Sequence, residues 1–281
     1  MLVMASVVCV FTSCSVKSYM QIADVKSSAL KEQGSSYVYS DKNCKITYNF
    51  WSNAGEVSFH IENLTDQILY IDLGKSFFTR NDRAYDYFLN RTFESGKNSS
   101  FTSGVGKTAS AYGFWGLTGH AGKVSASASL SNTNGSFSST KYNEKEILAI
   151  PPHSVKNIAE YDIAGDVIQD CSLALFPKKG KPQSITYTED ESPLKFSNYI
   201  TYKVGENGSL VSLKHDFHVS GYTNYLLSDT EEKVKVGCKE QREIKVNKYG
   251  KATKYYYIYT KQHDNSNSSD AKVTDPYVNS F

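Results

Sequence analysis

One stretch of this chain, residues 45–93, alternates apolar and polar side chains with a period of two. Side chains two residues apart share one face of a β-strand, so each alternating run predicts a strand with one buried face. Turn-forming residues separate the runs, which predicts consecutive antiparallel strands. The rest of the chain must extend or cover this sheet. The apolar positions of the first two runs are Ile46, Tyr48 and Phe50, then Val57, Phe59 and Ile61.

Similar runs recur through most of the 281 residues. The composition agrees, because 21 tyrosines stand against only 6 prolines, and a tyrosine ring packs well on a pleated, half-exposed surface. We therefore predict an all-β protein, an antiparallel Greek-key (Ig-like) β-sandwich with at most one or two short helices.

Three local signals predict particular connections. Residues 63–66 have the side chains of a tight turn, since Asn and Asp bond to the backbone two residues on. Glu206, Asn207 and Gly208, with their Asn-Gly pair between two apolar runs, predict a hairpin. Apolar residues recur at helical spacing over residues 165–175, which predicts one short amphipathic helix.

The N-terminal segment has the features of a targeting signal. Residues 1–10 are apolar but too short to cross a bilayer, which takes about 20 residues. With the small residues before Cys14, the segment resembles a bacterial lipoprotein signal, although Phe11 and the lack of a preceding Lys or Arg depart from that pattern. We predict a signal peptide over residues 1–13 and lipid attachment at Cys14. The alternative is a short buried strand in which Cys14 is structural.

Residues 95–143 differ in composition from the rest of the chain. They contain no Asp or Glu and are dominated by Gly, Ser, Ala and Thr. Alternation within residues 107–131 predicts a long hairpin of small residues, whose arms of roughly 10 residues match a membrane-spanning strand in length. Phe114, Trp115 and Leu117 are its candidate contacts with a membrane, or with the sandwich if the hairpin is a flap.

One elaborated domain is predicted rather than two. A boundary near Pro151 is the alternative, but each half would then hold a small sheet of marginal stability. The expected segments are a signal peptide (1–13), a tether with the first strand (14–34), the sandwich (35–261, with the insertion 95–143) and a disordered tail (262–281).

Four pieces of sequence together are similar to a known group. On these pieces the mature chain resembles uncharacterised Bacteroidetes outer-membrane lipoproteins. The resemblance implies the lipid anchor and the sandwich, and it supplies no activity and no catalytic residue. The pieces are residues 59–66, residues 76–81 with 85–87, residues 149–154 and residues 192–202.

The same resemblance bears on the membrane face. Bacteroidetes lipoproteins that reach the cell surface usually carry acidic residues directly after the cysteine. Here residues 15–18 contain Lys17 and no acid, and the first acid is Asp24. We expect an outer-membrane protein that faces the periplasm, with surface exposure as the alternative.

The remaining cysteines and the histidines give few signals of a site. The periplasm permits disulfides, so Cys171 and Cys238 are the predicted pair; free buried thiols, with Cys44 among them, are the alternative. His215 and His218 lie on opposite faces of a strand, so they are not expected to hold one metal ion.

Catalytic motifs are also lacking. The sequence has no Gly-x-Ser-x-Gly elbow, and residues 104–108 lack the first glycine of a phosphate loop. The acidic residues 189–191 are expected to be a solvated loop, with calcium binding as a minor alternative. We expect no cofactor and no metal.

These observations favour a non-enzymatic, membrane-anchored binding or assembly lipoprotein of the cell envelope. Its expected partners are the lipid bilayer, through acylated Cys14, and an unknown envelope protein or glycan. A net charge of +2 gives no reason to expect nucleic acid. The alternative is a membrane-active protein that inserts the hairpin 107–131, and an enzyme is the third hypothesis.

Overall fold

The computed structural model describes residues 17–98, 137–237 and 242–261. Across these ranges the chain is almost entirely β, with one 3₁₀ helix at Leu227–Asp229. The first nine strands are β1 (Ser18–Lys26), β2 (Lys31–Gln33), β3 (Ser36–Ser40), β4 (Cys44–Asn49), β5 (Glu56–Asn63), β6 (Leu69–Arg80), β7 (Arg83–Asp86), β8 (Thr92–Asn98) and β9 (Phe137–Asn143). The others are β10 (Ile147–Ile150), β11 (Val155–Asp162), β12 (Gln183–Thr186), β13 (Lys195–Val204), β14 (Val211–Leu226), β15 (Glu231–Val236), β16 (Arg242–Asn247) and β17 (Lys254–Thr260).

The described strands form two large antiparallel sheets and two separate ribbons. The 8-stranded sheet runs β10-β6-β13-β14-β1-β17, with β12 also paired to β14 and β7 to β6. The 5-stranded sheet runs β11-β5-β4-β3-β2, and the ribbons are β8–β9 and β15–β16. The predicted all-β, antiparallel, sandwich-like class is confirmed, and the Greek-key order of its connections stays a prediction.

The interior lies between the two large sheets and is built from the alternating residues. Ile46 and Tyr48 of β4 and Val57 of β5 are fully buried, and Phe59 of β5 is 1% exposed. The ring of Phe217, from β14 in the other sheet, lies 5.0 Å from that of Tyr48. Burying each such side chain contributes about 1.5–3 kcal/mol, so the two sheets are held together by one shared apolar layer.

The order of pairing differs from the expectation at β6. As predicted, β4 and β5 are antiparallel neighbours, with Ile46 opposite Ile61. β6 instead leaves that sheet and lies between β10 and β13 in the 8-stranded sheet, where Leu69 and Ile71 are buried against the same core. Alternation indicates which face of a strand is buried, but it does not indicate which sheet the strand joins.

The predicted helix over residues 165–175 is wrong, because this segment consists of turns and irregular backbone. The Asp166 carboxylate accepts a hydrogen bond from the Val167 amide at 2.6 Å, and that of Asp170 accepts one from the Ser172 amide at 2.7 Å. Such local bonds compete with helical hydrogen bonds. Val167 is still buried, so its apolar side chain covers the core without a helix.

The turns follow the sequence signals unevenly. Oδ1 of the Asn63 side chain accepts a hydrogen bond from the Thr65 amide at 2.9 Å, as predicted. The hairpin predicted at residues 206–208 is confirmed, because β13 and β14 pair antiparallel. The link between these strands is longer than two residues, and the positive φ, 67°, falls at Gly205. Asn81 and Asp82, with φ of 45° and 66°, form an unpredicted two-residue link from β6 to β7.

Candidate functional site

A chain of hydrogen bonds joins four polar side chains between the sheets; we call it the interior polar chain. The Tyr87 hydroxyl donates to Oδ1 of Asn198 at 2.9 Å, and Nδ2 of Asn198 donates to the Tyr48 hydroxyl at 3.1 Å. The Tyr48 hydroxyl lies 2.7 Å from Nδ1 of His215. Because Tyr48 belongs to β4 while Asn198 and His215 belong to β13 and β14, the chain bridges the two sheets.

The Asn198 amide sets the direction of donation along the interior polar chain. Since its nitrogen donates to Tyr48, we assign the Tyr48 proton to the bond with Nδ1 of His215. The imidazole is then neutral with its proton on Nε2, the one buried side-chain nitrogen or oxygen in the described residues that has no partner. Burial lowers the pKa of His215 to about 4, against the opposing effect of Asp216.

The interior polar chain is closed to solvent, since Tyr48 and Asn198 are fully buried and His215 is 3% exposed. Burial also raises the pKa of the Tyr48 and Tyr87 hydroxyls, so they stay protonated. A slip of one sheet against the other would leave these groups without partners at a large free-energy penalty. The arrangement therefore specifies how the sheets are aligned.

A second polar cluster lies in a surface groove of about 330 Å³ on β13 and β14. The Ser197 hydroxyl donates to the carboxylate of Asp216, which also pairs with Lys214 at 2.9 Å. His218 lines the same groove, and burial lowers its pKa. Because the serine proton is directed to a carboxylate and not to the imidazole, Ser197 and His218 do not form the nucleophile–base pair of acyl transfer.

The third feature is the attachment of the β8–β9 ribbon, which contains the two ends of the acid-free insertion. Arg91, at the base of the ribbon, bonds to the carboxylates of Glu144 and Glu160 with Nε–Oε1 and Nη2–Oε2 distances of 3.1 Å and 3.0 Å. Glu144 also accepts the amides of Leu89 and Arg91 at 2.9 Å and 3.1 Å. We call this group the Arg91 clamp.

The Arg91 clamp is shielded from solvent, since the side chains of Arg91, Glu144 and Glu160 are 25%, 8% and 15% exposed. Donation of hydrogen bonds to Glu160 raises the pKa of Arg91. Burial alone would raise the pKa of Glu144, but the hydrogen bonds that it accepts from Arg91 and two backbone amides lower it. Glu160 lies on β11, so the clamp ties the base of the ribbon to the 5-stranded sheet.

Most residues singled out from the sequence lie outside the described residues: Cys14, Phe114, Trp115, Leu117 and Cys238, together with the hairpin 107–131 and the tail 262–281. Cys171 is exposed and carries no bond to another described residue, and its pairing with Cys238 stays a prediction. Cys44 is buried, and burial raises the pKa of its thiol to about 12.

The acidic loop 189–191 is a surface feature, as predicted. Glu191 accepts a hydrogen bond from the Thr188 hydroxyl at 2.8 Å, which lowers the pKa of its carboxyl group. Within the described ranges, no three His, Cys, Asp or Glu side chains lie close enough to share a metal ion. In the same ranges, no helix is long and apolar enough to cross a bilayer.

The fold and these clusters define an antiparallel, all-β, sandwich-like protein that carries a clamped ribbon at one edge. Comparison with models of protein families, with curated proteins and with solved structures finds no match to this chain. The resemblance to Bacteroidetes lipoproteins therefore stays a prediction.

Proposed function

We propose that this protein is a lipid-anchored, non-enzymatic binding or assembly module of the outer membrane. In this proposal, acylated Cys14 holds it on the periplasmic side, and the sandwich presents the insertion 95–143 to an envelope protein or glycan. Rigid scaffolds that carry long loops commonly place binding residues on those loops.

The observation that carries this proposal is the distance between β1, where the tethered N-terminal segment joins the sandwich, and the β8–β9 ribbon. The chain enters at Ser18 on β1, beside the edge strand β17, whereas the β8–β9 ribbon leads directly into β10 at the other edge of the 8-stranded sheet. Four strand spacings separate β1 from β10, or about 19 Å. This separation favours an insertion that lies away from the lipid-anchored N-terminus and is accessible to a binding partner.

The Arg91 clamp adds to this argument. A ribbon fixed at its base by two shielded carboxylates orders less backbone when a partner binds, which reduces the entropy lost on association.

Site-specific photocrosslinking in the native envelope tests the proposal. A photoreactive amino acid at Trp115 is expected to give a discrete adduct with one envelope component. The matched control replaces Ile258, which is 39% exposed on β17 at the other edge of the sheet and is expected to give none. Failure of Trp115 and of neighbouring insertion positions to give an adduct, in cells that express the protein normally, would refute it.

A second candidate function is membrane insertion of the hairpin 107–131. It is favoured by the paired β8–β9 ribbon, which brings both ends of the insertion together in register, as a hairpin that inserts would require. Dye release from liposomes by the intact protein, lost when residues 107–131 are removed, would support this function. An intact protein that releases no dye contradicts it.

A further inference from the structure

The end of the sandwich at which the chain enters β1 carries a group of exposed lysines. Ser18 pairs with Thr260 of β17, and Tyr19 pairs with Leu226 at the end of β14, so three strands end together here. We call the exposed lysines at this end the anchor-end lysines: Lys17, Lys178, Lys179, Lys181 and Lys261.

Described contacts hold these lysines on one end of the molecule. The Gly180 amide donates to Oδ2 of Asp229 at 2.7 Å, which ties the turn bearing three of the lysines to the 3₁₀ helix after β14. The ammonium group of Lys261 lies 5.2 Å from the centre of the Phe176 ring, and that ring packs on Tyr19 at the start of β1. Lys17 directly precedes β1.

Few carboxylates offset this positive charge. Asp229 is bonded to the turn itself, and Glu231, the next acid, pairs with Lys245 at 2.6 Å. Glu232 follows on β15 and is exposed. None of the five anchor-end lysines has a carboxylate partner among the described residues, and Lys248, whose amide donates to Thr230, adds a further cation beside them.

We propose that the anchor-end lysines bind the anionic headgroups of the phospholipid layer to which Cys14 is tethered. The inference rests on the proposed lipid anchor. Only Ser15 and Val16 separate Cys14 from Lys17, and an extended chain of three residue steps spans at most about 11 Å. The Debye length at physiological ionic strength is about 8 Å, so an acylated Cys14 brings these charges close to the range of the surface potential of the membrane.

The size of the effect follows from the number of lysines. A lysine near an anionic surface strengthens binding about fivefold. Three of them therefore contribute roughly a hundredfold, which is enough to orient a tethered domain with its anchor end against the lipid. This orientation leaves the edge with β10 and the ribbon directed away from the point of attachment.

Vesicle binding by the unacylated chain isolates this surface from the anchor. A chain that begins at Ser15 keeps every described residue, and we expect it to sediment with vesicles of phosphatidylcholine containing phosphatidylglycerol, and not with phosphatidylcholine alone. Binding is expected to weaken as salt is raised. The variant with Lys178, Lys179 and Lys181 replaced by Gln should lose at least tenfold in partition coefficient.

The matched control replaces Lys31, Lys42 and Lys145 by Gln. These lysines are also exposed, but lie on other elements, and we expect less than a twofold change. Equal binding to both vesicle types, or equal losses in the two triple variants at unchanged melting temperature, would overturn the inference. Residues 262–281, directly after Lys261, contain aspartates that could offset the charge of the lysines. Vesicle binding that appears only after these residues are removed would also overturn the inference.

The proposed anchor is tested separately by the mass of the protein from its envelope. A lipid adduct at Cys14 together with no preference for anionic vesicles would overturn this inference and leave the anchor intact. Binding to anionic vesicles without the adduct would overturn the anchor. It would also contradict the assignment of lipid headgroups as the ligand in the cell, because the basic surface would then bind some other anionic ligand.

Discussion

Acidification from pH 7 to pH 5 is expected to destabilise this protein through His215. Burial lowers the pKa of the imidazole in the folded protein to about 4, compared with 6.5 in the unfolded chain. Between these values the unfolded state binds more protons than the folded state, so stability falls as the pH falls through this window. Well above pH 6.5 the imidazole is neutral in both states, so His215 causes no loss of stability there.

The magnitude follows from these two pKa values. At pH 5 the unfolded histidine is almost fully protonated and the folded one is mostly neutral, which corresponds to a loss of about 2 kcal/mol. The structural reason is that a second proton on the ring would meet the Tyr48 hydroxyl, which already donates to Nδ1. At pH 4 the loss reaches about 3 kcal/mol.

The assay compares urea unfolding of the wild type with that of His215→Gln at pH 7 and pH 5. Glutamine can accept the Tyr48 hydrogen bond and does not titrate, so carboxyl groups and His218 contribute equally to both proteins. We expect the wild type to lose about 2 kcal/mol more than the variant over this interval. Parallel losses in the two proteins would refute the assignment of a buried neutral imidazole.

Three further perturbations have defined outcomes. Arg91→Ala is expected to lower the free energy of unfolding by about 2 kcal/mol because it leaves shielded carboxylates unpaired. Lys233→Ala, at the exposed ion pair with Glu243, is expected to change it by less than about 0.5 kcal/mol. Equal effects of the two substitutions in urea melts would contradict the Arg91 clamp. Gly55→Ala is expected to destabilise the protein by about 2–3 kcal/mol, because φ is 75° there and the added Cβ would lie 2.7 Å from the Tyr255 ring. Gly34→Ala, at φ 65° but with open space around it, is expected to destabilise it by about 1 kcal/mol. A larger loss of stability for Gly34→Ala than for Gly55→Ala would contradict this packing. Non-reducing peptide mapping is expected to recover a Cys171–Cys238 crosslink, and free thiols at both positions would refute the pairing.

Sequence reasoning succeeded where neighbouring residues carried the information. The period of two identified the buried faces of β4 and β5, and the side chain of Asn63 identified its own turn. It failed at residues 165–175, where apolar spacing fits a helix but Asp166 and Asp170 bond to nearby amides. Periodicity counts apolar positions and does not weigh these competing polar bonds.

The interior polar chain could not be derived from sequence because its members are distant along the chain. Tyr48 and His215 are 167 positions apart, and Tyr87 and Asn198 are 111 apart. Each looks locally like an ordinary strand or loop residue. The one available signal was a polar residue, Asn198 or His215, at an inward-facing position of a strand. The Arg91 clamp could not be predicted for the same reason, since Glu144 and Glu160 are distant from Arg91 in sequence and the fold brings them together.

The central claim is that a lipid on Cys14 holds this sandwich at the outer membrane. Intact mass measurement of the protein extracted from its native envelope tests it most directly. The account predicts a chain that begins at Cys14 and carries acyl groups, and recovery of Cys14→Ala without them and outside the membrane fraction. An unmodified Cys14 in a protein that still starts at Met1, or a Cys14→Ala variant that stays with the outer membrane, would contradict it.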